Sequence, residues 1–71
     1  MRMILRVRLN AAKEKIEKFA DNRYLITLLE NSHAEGNKKI IELMSHYFGV
    51  PPSRIGLVQG LDKEDKIIDI N

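Results

Sequence analysis

A chain of 71 residues that is 44% hydrophobic and 31% charged, with no cysteine and a formal net charge of +2, has room for one small domain and no second. Without cysteine there are no disulfide staples or thiolate metal sites, so apolar packing, hydrogen bonds or a partner must hold a thin core. No apolar run approaches the roughly 20 residues that span a bilayer, and arginines interrupt the amino terminus where a secretory signal would be continuous, so the expectation is a cytoplasmic protein with no membrane contact.

Residues 3–9 alternate with period two, with Met3, Leu5, Val7 and Leu9 on one side and Ile4, Arg6 and Arg8 on the other, the pattern of a half-buried strand. Residues 13–20 are ambiguous, because Ala12, Ile16, Phe19 and Ala20 also fit a short helical face and local propensity favours a turn or two of helix. Asp21-Asn22 marks a turn, and residues 23–29 form a second strand with Tyr24, Ile26 and Leu28 on one face and Leu25, Thr27 and Leu29 on the other. Two apolar faces place that strand inside a sheet.

The clearest helix runs over about residues 33–48. Ser32 and Glu35 have capping-box spacing, Ile40, Leu43, Met44, Tyr47 and Phe48 recur along one face, and Gly49 followed by Val50-Pro51-Pro52 closes it. A third strand covers 55–58, a charged connection 60–65 and a fourth strand 66–70. One helix must bury its stripe on one sheet face, which predicts an α+β two-layer sandwich with a four-stranded mixed or antiparallel sheet and the other face left over.

The succession Val7-Arg8-Leu9-Asn10-Ala11-Ala12, Glu35-Gly36-Asn37-Lys38-Lys39-Ile40, Phe48-Gly49-Val50, Gln59-Gly60 and Asp65-Lys66 resembles the YggU-like family of small uncharacterised proteins over nearly the whole chain. The resemblance implies the order strand, loop, strand, helix, strand, strand, with a short strand-like piece inside residues 11–20. It marks Asn37, Gly49 and Gly60 as structural motif positions and Lys66 as the lysine that closes the last hairpin. The chain departs from the family pattern most in the loop before the helix, where Ala34-Glu35-Gly36 stands in place of Gly-Lys-Ala.

Charge is uneven. Residues 1–18 hold six basic and two acidic side chains, whereas residues 51–71 hold three basic and four acidic. Arg6 and Arg8, about 6–7 Å apart on one strand face, form a stripe suited to phosphates, or else a solvated strand guarded by charge against edge association. Lys38 and Lys39 in the first helical turn oppose the macrodipole unless an anion or a carboxylate such as Glu30 or Glu35 offsets them. Lys66 completes the set of candidate anion-binding residues. His33 and His46 lack a third converging ligand, the acidic residues 62–69 lack a calcium-loop spacing, and no nucleophile or zinc motif selects a catalytic pair, so no metal, cofactor or enzyme activity is expected. Two functions stay open: a binding module for nucleic acid or a ribonucleoprotein, and a protein–protein adaptor using the uncovered face or an edge strand. The oligomeric state is not legible.

Overall fold

The computed structural model describes residues 1–71, in the order β1 (Arg2–Arg8), β2 (Lys15–Ala20), β3 (Arg23–Thr27), α1 (His33–Phe48), a 3₁₀ turn (Pro52–Arg54), β4 (Ile55–Gln59) and β5 (Asp65–Ile70). The five strands form one mixed sheet in the order β2-β3-β1-β5-β4. Only β1 and β3 run parallel; the other neighbours are antiparallel. The class is the α+β sandwich that the periodicity implies, with one helix and one sheet, but with five strands in place of four.

The additional strand is β2. Its residues Lys15–Ala20 have good helical propensity, yet the turn at Asp21-Asn22, where Asn22 adopts a left-handed φ of 57°, folds them back antiparallel along β3. Sheet hydrogen bonding outweighs local preference here. Burial leaves little trace of it, because Ile16 alone is half-buried and the rest of the strand is exposed. This segment extends the sheet at its edge and does not cross the open face.

Alternation sorts the side chains. Met3, Leu5 and Val7 of β1, Tyr24 and Ile26 of β3 and Ile68 and Ile70 of β5 face the helix, which buries Gly36, Ile40 and Met44 against them. Leu43 and Phe48 flank this core half-buried, while Tyr47 stays largely exposed and stacks edge-on with Tyr24 and Phe48 at ring separations of 5.6 and 5.0 Å. Both helix ends are built as their residues suggest: the Ser32 hydroxyl accepts from the Glu35 amide at 3.3 Å, and Gly49 closes the helix at φ 66°. Thirteen residues are buried, so the core is as thin as a chain of this length allows and single fixing contacts carry unusual weight.

Candidate functional site: the open sheet face and the hairpin latch

Strand registers arrange the open face in rows. Lys15, Thr27 and Arg8 form one; Glu17, Leu25, Arg6 and Asp65 the next; Arg23, Ile4 and Ile67 a third; Arg2 and Asp69 the last. Rows lie about 6–7 Å apart and neighbours within a row about 5 Å. Charges in these rows are partly cancelled from within. The Arg6 guanidinium donates to the Asp65 carboxylate at 3.0 and 3.4 Å, Lys15 pairs with Glu17 at 3.4 Å, and Asp69 takes the amino-terminal ammonium at 3.3 Å.

Three arginines escape this cancellation. Arg2, Arg8 and Arg23 take part in none of the chain's ion pairs. Arg8 separates two hollows: a groove of about 810 Å³ bordered by residues 11–15 with Leu25 and Thr27 beneath, and a smaller one of about 380 Å³ shared with Arg6, Leu9 and Glu64. At the opposite end of the face, Arg2 and Arg23 flank a hollow of about 290 Å³ with Ile4 and Ile67 in it. The smaller hollow beside Arg8 is polar, with Glu64 on its rim, whereas the other two join unpaired guanidinium groups to apolar surface, an arrangement suited to an anion that also has a flat apolar part.

The helix start behaves differently. Lys39 lies 3.6 Å from Glu14 and 3.7 Å from Glu42, and these carboxylates, Glu14 foremost, raise its pKa above the usual lysine value. Its conflict with the macrodipole is therefore met within the chain, by Glu14 and Glu42 more than by Glu30 or Glu35. Lys38 is exposed and unpaired, but it sits on α1, away from the open face.

Lys66 does not belong to any surface. Opposite Leu5 in the β1–β5 register, it points to the helix side, is 1% exposed, and its ammonium donates to the carbonyls of Gly60 and Leu61 at 2.8 and 3.0 Å. Burial lowers its pKa, an effect that Asp62 opposes in part. Asn37 reaches the same loop from α1, its Nδ2 donating to the Leu61 carbonyl at 2.8 Å. Gly60 turns the loop at φ 81°, where a β-carbon would lie 2.2 Å from the Asp65 carbonyl oxygen. Asn37, Gly60 and Lys66, well separated in sequence, thus converge into one latch that holds the β4–β5 hairpin against the helix.

Of the five candidate cations, the sheet brings Arg6 and Arg8 onto one surface, while Lys38 and Lys39 lie on the helix and Lys66 lies inside. The periodicity Lys66, Ile68, Ile70 carries the signal that Lys66 shares the buried phase of its strand. Arg23 joins Arg6 and Arg8 on the open face, and the signal is its strand phase, shared with Leu25 and Thr27 and opposite to Tyr24 and Ile26. No helix is long and apolar enough to cross a membrane. No protein-family model matches the chain.

Proposed function

We propose that the chain is a non-catalytic binding module whose open sheet face engages nucleic acid, free or within a ribonucleoprotein, through Arg8 with Arg2 and Arg23, and with Arg6, whose guanidinium Asp65 partly neutralises. The observation that carries this reading is the pairing pattern: within a face no helix covers, Arg2, Arg8 and Arg23 take part in no ion pair, and of the acids beside them only Asp21 and Glu64 are likewise unpaired. Phosphate contacts of this kind position a strand without reading its sequence, and the hollows beside the arginines accommodate bases. The reading fits the YggU-like resemblance in one respect: the motif residues Asn37, Gly60 and Lys66 serve the scaffold and take no part in the open face.

Titration with single-stranded RNA and with DNA at low salt tests it. Affinity falls steeply as salt rises, and replacing Arg6 and Arg8 together by alanine weakens binding. Absence of binding at low salt, or indifference to the double substitution, would remove the reading.

A protein–protein adaptor is the second reading, favoured by one feature. The outer strand β4, Ile55-Gly56-Leu57-Val58-Gln59, carries no charge, and Val58 on it is 48% exposed, so its edge is guarded against strand addition by its shortness and the irregularity at Leu57–Gln59 alone. Binding there is insensitive to salt and to Arg8, and that distinguishes the two.

A further inference from the structure

The larger groove on the open face has a definite chemical character. Leu25 and Thr27 form its floor and Ala11 and Ala12 its apolar wall, while Arg8 and Lys13 are the cations on its rim that belong to no ion pair. Its two carboxylates are already engaged, Glu14 by Lys39 at 3.6 Å and Glu17 by Lys15 at 3.4 Å. What remains for a ligand is a short apolar surface beside two uncompensated cations, one of them a guanidinium whose planar donor fork matches a phosphate. The volume, about 810 Å³, lies within the ordinary range of small-ligand sites, roughly 300–1,000 Å³.

We propose that this groove seats one nucleotide, its phosphate between Arg8 and Lys13 and its base laid over Leu25 against Ala11 and Ala12. The inference rests on the nucleic-acid reading and narrows it: one nucleotide of a bound strand is held here, while Arg23 and Arg2 two and three rows away track the phosphates that follow. Thr27, on the floor, offers a hydroxyl that donates or accepts toward the base edge. A simple anion uses only the rim, and an uncharged aromatic uses only the floor. A nucleoside 5′-monophosphate uses both.

The test is a nuclear magnetic resonance titration of the ¹⁵N-labelled full chain with adenosine 5′-monophosphate, with inorganic phosphate and with a ten-nucleotide single-stranded RNA. The nucleotide is expected to move the amide signals of Ala11, Ala12, Lys13 and Leu25 and to bind more tightly than phosphate. Arg8→Ala is expected to weaken the nucleotide about tenfold, the worth of one charge-assisted contact. Lys13→Ala, at an exposed side chain that makes no ion pair, is expected to weaken it by several-fold. Arg23→Ala is expected to weaken the RNA and leave the groove's response to the nucleotide unchanged. If RNA binds while the nucleotide leaves these amides unmoved, or if phosphate binds as tightly as the nucleotide, the groove assignment is overturned and the broader reading survives. If the nucleotide occupies the groove but RNA does not bind, the groove stands and the strand-binding reading falls.

Discussion

On the helix-covered face of the sheet, Lys66 is buried with two backbone carbonyls as its acceptors; on the open face, one strand away, Arg8 stands in solvent with no acidic partner. Both are cations in a sheet of alternating residues, yet register gives them opposite tasks. The buried lysine ties down a hairpin and is unavailable to a ligand. The exposed arginine's side chain makes no ion pair within the chain and is available. Basic residues in a small domain are thus divided by strand phase and by the carboxylates that topology brings beside them, not by their number.

The sharpest break in this comparison is Gly60→Ala, which forces a β-carbon to 2.2 Å from the Asp65 carbonyl at a φ of 81° and dismantles the latch on the covered face. A loss of about 3 kcal/mol in urea unfolding is expected, with RNA affinity of the fraction that remains folded unchanged. Lys66→Ala follows at about 2–4 kcal/mol, since it removes the ammonium from the Gly60 and Leu61 carbonyls, which keep only the Lys63 amide and the Asn37 side chain, and opens space in the core, whereas Lys66→Met keeps the volume and loses about 1–2 kcal/mol. If either substitution at Lys66 abolished RNA binding while the fold persisted, the division of tasks would be wrong.

Alkaline pH separates two lysines by sign. Lys66 has a pKa lowered by burial, so its neutral form favours folding; that contribution is fully present above the usual lysine value near 10.4 and is lost as pH falls through the lowered one. Lys39, raised by Glu14 and Glu42, contributes stability below the usual lysine value and loses it as pH rises through the raised one. Unfolding curves between about pH 9 and 11 are expected to lose the Lys66 rise in Lys66→Met and to keep the Lys39 decline. Retention of the rise in that variant would contradict the burial of Lys66.

The smallest effect on stability is expected on the open face. Asp65→Asn frees Arg6 from an exposed pair and changes stability by no more than about 0.5 kcal/mol. It should nevertheless strengthen RNA binding, since a guanidinium and a net charge are released to the ligand. Binding that weakened instead would mean that Asp65 orients Arg6 for its contact and that the pair acts as a unit.

Particular residues explain how much of this was legible in the sequence. The ends of α1 were readable because Ser32 and Gly49 make their contacts locally, within a few residues. Strand β1 was readable because all its inward positions are apolar and its outward ones are mainly arginine. Strand β2 was not, since an exposed edge strand imposes almost no pattern and its Lys-Ile-Glu-Lys reads as helix; the strand-like piece implied by the family resemblance came closer than propensity did. The pairing of Arg6 with Asp65 depends on β1 and β5 being neighbours, which follows from strand order and from no local feature. The latch was visible only as separate motif residues. Its convergence is a tertiary fact.

The most direct measurement is the salt dependence of RNA affinity for the unaltered chain and for Arg8→Ala. The account predicts log–log lines whose slope is shallower by about one phosphate contact in the variant, while Lys38→Ala, on the helix, leaves the slope unchanged. Equal slopes for the unaltered chain and Arg8→Ala, or a slope that changes only with Lys38, would contradict the assignment of the binding surface to the open face.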